Sequence, residues 1–203
     1  MINHYIIKKT GQWSRKKIFM KKLELLIESY NAEFLKLAKI DPIIAKKIKK
    51  LYNQVLGIKK KKKKIIIVGN GGSAAIASHF SVDMTKNGNI RCINFNESDL
   101  LTCFSNDYGY ENWVKQALRF YLDSGDIVIL ISASGNSQNM INAAKFLKNK
   151  KNYLVTLTGF NGFNKLSKYG NLNFTVNSKV YNHIENVHQY WLLMLCDLAA
   201  LKK

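Results

Sequence analysis

The chain has 203 residues, 47% of them hydrophobic, and a formal net charge of +19, so it can bury the core of one α/β domain. It has no run of about 18 apolar residues and no apolar segment of signal-peptide length near its start, which argues against a membrane span and against export. The lysines concentrate in the first third without interleaved aromatic residues, which favours a solvated face that attracts anions over a nucleic-acid-binding surface.

The first part of the chain is predicted to be a loose arm followed by helices. Residues 1–19 show little periodicity and are expected to form the arm. From Met20 to Val55 apolar residues recur every three or four positions, and Asp41-Pro42 is expected to divide this helical pattern in two. We predict that residues 20–203 form a single domain that includes this helical hairpin. Another subunit is expected to cover the apolar face of the hairpin.

Strands and helices alternate through the rest of the chain. Short apolar runs predict strands at residues 64–69, 90–95, 126–134, 153–159 and 172–177. Helices are predicted at residues 71–86, 97–106, 110–122, 136–150 and 182–203. This alternation specifies a parallel sheet covered by helices on both faces. Ligands of such sheets bind beyond the carboxyl ends of the strands, so the loops after Val68, Ile131 and Leu157 are expected to form the site.

The loop after the first strand reads GNGGSA and leads into a helix. Its spacing fits neither the dinucleotide-binding G-x-G-x-x-G pattern nor a P-loop, which would need a Lys-Ser/Thr pair. The backbone amides of Gly71 and Gly72 and the hydroxyl of Ser73 can face an anion at the helix N-terminus. Taken alone, these glycines are explained as well by a tight turn between strand and helix.

The loop after the third strand, ISASGNSQN, adds hydroxyl groups to the same arrangement. Ser132, Ser134 and Ser137 surround Gly135 at the start of the next helix. Hydroxyls and free backbone amides form a neutral cup that binds a phosphate dianion through hydrogen bonds and the helix dipole. Two such loops at one sheet edge predict a phosphate-binding site.

Five segments of the chain form an ordered set of motifs: GNGGSAAIASHF, FSNDYGYEN, DIVILISASGNSQNMINAAK, LVTLTGFNG and HIENVHQYWLLMLCDL. In this order and at these distances they resemble the phosphoheptose isomerases of the sugar isomerase (SIS) superfamily, from about Lys64 to Leu198. The resemblance implies a five-stranded parallel sheet between helices. It also implies a homotetramer with active sites between subunits, built in part by the helices from Met20 onward.

The resemblance implies a sugar-phosphate isomerase. Members of that family convert sedoheptulose 7-phosphate into a heptose phosphate for surface polysaccharide, such as lipopolysaccharide or capsule. In this aldose–ketose isomerisation a base moves a proton between adjacent carbons through an enediol. The widely spaced Cys92, Cys103 and Cys196 fit reduced thiols in the cytoplasm. Some SIS relatives lack the catalytic residues, so the alternative is a non-catalytic sugar-phosphate-binding or protein-assembly factor.

The resemblance also assigns the substrate-binding positions. Four serines match the positions that bind phosphate: Ser73, Ser132, Ser134 and Ser137. Asn70 and Asp107 match polar positions near the sugar. Ala133 stands where relatives often have threonine, so one hydroxyl of the cup is missing.

Four residues are candidates for proton transfer. His79 and Asp83 lie four apart on one helix face, where the family has His and Glu. On the closing helix Glu185 and Leu193 stand where the family has Gln and the acid His, so the usual acid position is apolar. His188, one turn after Glu185, is a substitute if it faces the site. Otherwise Glu185 and His188 are a salt-bridging pair on the helix surface.

No cofactor is required by this chemistry, but some members of the family hold zinc. Because Leu193 cannot bind a metal, a zinc site of the family's four-ligand type is not expected. His79, Asp83 and Glu185 would still supply three ligands of a suitable type.

Overall fold

The computed structural model describes residues 2–160 and 163–201. Residues 161–162 of the LVTLTGFNG motif and residues 202–203 of the predicted closing helix lie outside them. The described helices are α1 (Ile2–Ala38), α2 (Pro42–Lys60), α3 (Gly72–Lys86), α4 (Ser98–Tyr108), α5 (Trp113–Tyr121), α6 (Gln138–Leu147) and α7 (Tyr181–Ala200). The strands are β1 (Ile65–Val68), β2 (Cys92–Ile93), β3 (Ile127–Ser132), β4 (Tyr153–Thr158) and β5 (Leu172–Thr175).

The chain divides into two compact units, residues 1–39 and 40–203. The first unit contains α1, which runs without a break through residue 19, the predicted end of a loose arm. The division of the chain at that residue stays a prediction. From residue 15 onward α1 exposes many large apolar side chains: Ile18, Phe19, Met20, Leu23, Leu25, Leu26, Ile27, Tyr30 and Leu35.

The predicted helix break at Asp41-Pro42 is confirmed. The Asp41 side chain caps α2, because its Oδ1 accepts a hydrogen bond of 2.7 Å from the Ile44 backbone N–H. Pro42 takes the first helical position, where a missing backbone N–H costs nothing. Local chemistry in the sequence therefore fixes where α2 begins.

All five strands are parallel, in the order β2-β1-β3-β4-β5. This confirms the predicted five-stranded parallel sheet flanked by helices. β2 is shorter than predicted, and the polar side chains that follow it bind α3. Asn94 donates to the Ser81 hydroxyl at 2.8 Å, and Asn96 donates to the Ala74 carbonyl at 2.7 Å.

Alternate strand residues are buried on opposite faces of the sheet. Ile66, Val68, Val128 and Leu130 belong to a core cluster with residues of α5 and α6. On the other face α7 packs against both α2 and α3. In the described part of the chain, no helix has the length and apolarity that crossing a membrane requires.

Candidate functional site

Two loops meet at the carboxyl edge of the sheet because β1 and β3 are neighbours in register. Asn70, just after β1, and Asn139, in the first turn of α6, exchange two side-chain hydrogen bonds of 3.1 and 2.9 Å. Asn139 is buried, and its Oδ1 also accepts from the Met140 backbone N–H at 3.0 Å. Asn70 thus ties the two loops together, through a partner that the sequence analysis does not single out.

The segment between α4 and α5 reaches the same edge. The Tyr110 hydroxyl donates to the Asn70 Oδ1 at 3.2 Å, which places an exposed phenol beside the first loop. Asp107, by contrast, is exposed near the end of α4, and its side chain accepts hydrogen bonds from its neighbours Cys103 and Asn106. A role for Asp107 near the sugar stays a prediction.

The second loop, residues 132–137, is called the serine loop below. The hydroxyls of Ser132 and Ser137 lie 3.1 Å apart, and the Ser134 hydroxyl accepts from the Asn136 backbone N–H at 3.2 Å. Ser137 is the N-cap residue of α6, yet its side chain makes no capping hydrogen bond. The structure therefore gathers the three predicted hydroxyls at a helix N-terminus, where the helix dipole favours an anion.

Two backbone hydrogen bonds from later segments of the chain hold the serine loop in place. The Ala133 carbonyl accepts from the Gly159 N–H at 2.8 Å, and the Gly135 carbonyl accepts from the Leu166 N–H at 3.0 Å. Gly135 has a φ of 64°, a left-handed conformation that glycine adopts without steric cost. Ala133 adds only backbone groups, so the cup lacks a hydroxyl at that position.

The first loop approaches α7 closely. Gly71 and Gly72 are exposed at the start of α3, and a methyl group on residue 72 would overlap the Glu185 carboxylate. The buried hydroxyl of Ser73 hydrogen-bonds to Glu185. Glycine at position 72 is therefore what lets a carboxylate lie against the N-terminus of α3.

Glu185 is only partly exposed, and burial raises the pKa of its carboxyl group above the ordinary value, while the hydrogen bond with Ser73 acts in the opposite direction. A carboxyl group with a raised pKa can exchange a proton with a substrate near neutral pH more readily than an ordinary one. This environment makes Glu185 a candidate for proton transfer beside the first loop.

His79 and Asp83 form the predicted pair on α3, and the structure adds a third member. His79 Nε2 lies 3.3 Å from Asp83 Oδ2, and His79 Nδ1 lies 3.3 Å from the side-chain nitrogen of Gln189 on α7. Because a carboxylate only accepts hydrogen bonds, Nε2 carries the proton and Nδ1 accepts from Gln189. We call His79, Asp83, Glu185 and Gln189 the α3–α7 seam.

His188 does not join the seam. Its ring is fully buried, its Nε2 donates to the Thr158 carbonyl at 3.0 Å, and its Nδ1 has no hydrogen-bond partner among the described residues. Burial lowers the pKa of His188 to about 4, against the opposing effect of the bond to Thr158. The structure thus separates His188 from Glu185, although the sequence places them one helical turn apart.

The tentative zinc ligands are not brought together. In residues 2–160 and 163–201 no three His, Cys, Asp or Glu side chains lie close enough to hold a metal ion. Glu185 lies against Gly72, and Gly72 is separated from His79 by about 10 Å along the axis of α3. Gln189, not a third acidic or thiol ligand, occupies the other side of His79. The residues present do not fit a zinc site.

Comparison with known proteins gives the same picture of the fold. The family model described as SIS domain matches residues 29–159. The phosphoheptose isomerase of Colwellia psychrerythraea is 33% identical over 135 residues, which cover 62% of this chain and 68% of that protein. The phosphoheptose isomerase of Cytophaga hutchinsonii is 35% identical over 95 residues, so the match spans 44% of this chain and 50% of that relative.

A solved structure extends the likeness over most of the chain. The phosphoheptose isomerase from Neisseria gonorrhoeae superposes with a TM-score of 0.79 at 26% identity, covering 87% of this chain and 98% of that one. The similarity therefore extends over most of the fold rather than one isolated motif.

Proposed function

The chain belongs to the SIS domain family, and on that premise we propose that it is a sugar-phosphate isomerase that interconverts an aldose phosphate and a ketose phosphate. One observation carries the proposal: three hydroxyls gather at the N-terminus of α6, at the same sheet edge as the partly buried carboxylate of Glu185. The first feature suits a phosphate and the second suits proton transfer.

The phosphate of the substrate would bind in the serine loop. Ser132, Ser134 and Ser137 supply hydroxyls, and the N-terminal backbone amides of α6 supply further donors. The amides of Gly71 and Gly72 lie at the neighbouring helix N-terminus, tied to the serine loop through Asn70. Neutral donors suffice for a phosphate dianion when two helix dipoles point at one edge.

Proton transfer would fall to the α3–α7 seam. Glu185 is the group that takes or gives the proton at carbon, because its raised pKa and its place beside the first loop suit that task. His79, oriented by Asp83 and Gln189, would handle the proton on a sugar oxygen. In this proposal His188 has a structural role, since its ring is enclosed and bonded to the Thr158 carbonyl.

The substrate class follows from the relatives. Sedoheptulose 7-phosphate is the first candidate, and the product would be a heptose phosphate for lipopolysaccharide or capsule. A cytoplasmic homo-oligomer, a tetramer by resemblance, belongs to the same proposal. The exposed apolar side chains of α1, such as Ile18, Leu26 and Leu35, support self-association. Light scattering at micromolar concentration tests it, and a monomer would contradict it.

A second function is favoured by one observation, the apolar residue at position 193. With Leu193 at the usual acid position and His188 buried, His79 is the sole histidine of the seam as the structure describes it. A protein with a working phosphate cup and too few proton-transfer groups would bind sugar phosphates without converting them. The alternative is therefore a non-catalytic sugar-phosphate-binding or assembly factor.

One experiment separates the two functions. The protein is incubated with a panel of ketose and aldose phosphates, sedoheptulose 7-phosphate first, and the mixtures are followed by NMR. A mock purification from cells without the gene controls for host isomerases. Conversion of one sugar phosphate into its isomer is the expected result. Binding of sugar phosphates by calorimetry with no conversion of any of them would favour the non-catalytic function.

A further inference from the structure

Asn164 is a buried amide next to the serine loop that no motif of the sequence identifies. It follows β4 and precedes the short 3-10 turn at Leu166–Lys168, and only 4% of its surface is exposed. Its Oδ1 accepts a hydrogen bond of 3.0 Å from the Ser167 backbone N–H. Because that donor requires an oxygen, the bond fixes which end of the amide is the nitrogen.

Asn164 Nδ2 is buried and has no hydrogen-bond partner in the part of the chain that the structure describes. Buried N–H groups are nearly always paired, because an unpaired one gives up its hydrogen bonds to water and gains none. An orphaned donor beside a binding loop calls for a partner that arrives with the ligand.

The neighbour of the amide is the serine loop itself. Asn164 lies so close to Gly135 that a methyl group on residue 135 would overlap its side chain. The Leu166 N–H binds the Gly135 carbonyl at 3.0 Å, and the Lys165 N–H binds the Asn136 side chain at 3.4 Å. The segment that carries Asn164 is therefore tied to the loop, and glycine at position 135 lets the Asn164 side chain pack directly against the loop backbone.

We propose that Asn164 Nδ2 donates a hydrogen bond to the phosphate bound in the serine loop. The inference rests on the proposed function, since it assumes a phosphorylated ligand at this loop. Among Ser132, Ala133, Ser134 and Ser137, the alanine is the one position without a side-chain donor. Asn164 supplies a donor to that incomplete set from a different segment.

The substitution Asn164→Asp tests the donor. Aspartate keeps an oxygen for the Ser167 N–H and replaces the NH₂ group by a second acceptor that a phosphate dianion repels. Asn171→Asp is the matched control, because Asn171 also accepts a backbone hydrogen bond, from the Leu154 N–H at 2.8 Å, but lies before β5 at the opposite end of the sheet. Both variants add the same charge.

Phosphate affinity is read from the rise in melting temperature of each protein as inorganic phosphate is added, relative to the same protein without phosphate. We expect Asn164→Asp to bind phosphate about 10- to 100-fold more weakly than the wild type, and Asn171→Asp to bind as the wild type does. Unchanged phosphate affinity in Asn164→Asp would overturn the proposal, even if that variant melts at a lower temperature.

A second measurement uses the wild-type protein and covers the case in which Asn164→Asp does not fold. The side-chain amide resonances of Asn164 in a ¹⁵N-labelled sample are followed during a phosphate titration. They should shift with the same dissociation constant as the melting curves report, and resonances that stay in place would refute a direct bond. If the wild-type protein binds phosphate but isomerises no sugar phosphate, the proposed isomerase activity is wrong, while the proposed Asn164 hydrogen bond is unaffected. A wild-type protein that binds neither inorganic phosphate nor sedoheptulose 7-phosphate overturns both.

Discussion

The serine loop and the α3–α7 seam lie on the same domain but hold their polar groups in different ways. The serine loop is fixed by its own backbone and by β4, so its hydroxyls stand at a rigid helix N-terminus. The seam depends on side chains from two helices, and its distances of 3.3 Å around His79 are longer. In the proposed function, ligand binding therefore falls to a preorganised loop, whereas the chemistry depends on a few side chains that a single substitution can remove.

Among the variants that keep Glu185, the largest expected effect comes from His79→Ala. Removing the imidazole takes away a proton-transfer group that Asp83 and Gln189 orient, so kcat should fall by about 10²- to 10⁴-fold. Sugar-phosphate affinity measured by calorimetry should stay at the wild-type value, because the serine loop is a separate structure. Full activity in this variant would show that the histidine of the seam takes no part in catalysis.

The double variant Ser134→Ala, Ser137→Ala tests the other region. Each hydroxyl that binds a charged phosphate contributes roughly 1.5–3 kcal/mol, so removing two should weaken binding by about 3–6 kcal/mol. Ser124→Ala, at the opposite end of β3, is the control and should leave binding unchanged. If calorimetry gave the same affinity for the double variant and the wild type, the phosphate would have to bind elsewhere.

His188 joins the two regions, because it lies on α7 and binds the carbonyl of Thr158, next to the residue that supports the serine loop. Its pKa of about 4 lies below the unfolded value of 6.5, so the unfolded chain takes up this proton first as pH falls. The contribution of His188 to the free energy of unfolding should therefore fall by about 3 kcal/mol between pH 6.5 and pH 4 and stay constant at lower pH.

Urea denaturation across that pH range measures the effect, with His188→Gln as the comparison. The glutamine cannot titrate, so the difference in unfolding free energy between the two proteins should change with pH in the stated direction. The kcat of the variant should remain near the wild-type value at neutral pH. A difference in unfolding free energy that does not change with pH would contradict the lowered pKa of His188. A large loss of kcat in a stable variant would give His188 a role in catalysis.

The smallest expected effect belongs to Gln189→Leu. One neutral hydrogen bond at a partly exposed ring contributes about 1 kcal/mol, so the loss of His79 orientation should lower kcat by about 2- to 10-fold. The Michaelis constant should hardly move, because Gln189 does not contact the serine loop in the described contacts. An increase in the Michaelis constant with unchanged kcat would make Gln189 a binding residue.

The sequence predicts the parts of this structure that depend on neighbours along the chain. Asp41 and Pro42 predict the start of α2 because helix capping depends on adjacent residues. The serines around Gly135 predict a cluster of hydroxyls because they lie in one turn of the chain. The predicted length of β2 is wrong, and the residues after it, Asn94 and Asn96, bind α3, a separate element.

What the sequence does not predict depends on packing between distant segments. Asn139 and Gln189 acquire their roles from Asn70 and His79, residues far away in the chain. For His188 a signal was present: it shares helical spacing with Ile184 and Trp191, the apolar stripe of α7, and so faces the core. Its place one turn after Glu185 makes His188 a candidate acid in the sequence, but the register of the helix decides its burial.

Glu185→Gln gives the most direct test of the claim that phosphate binding and proton transfer reside in different regions. The variant and the wild type are incubated with saturating sedoheptulose 7-phosphate in D₂O, and incorporation of deuterium at the carbons next to the carbonyl is followed by NMR. The account predicts rapid incorporation by the wild type and none above background by Glu185→Gln, with equal affinities for the sugar phosphate by calorimetry. Wild-type incorporation by Glu185→Gln would contradict the account.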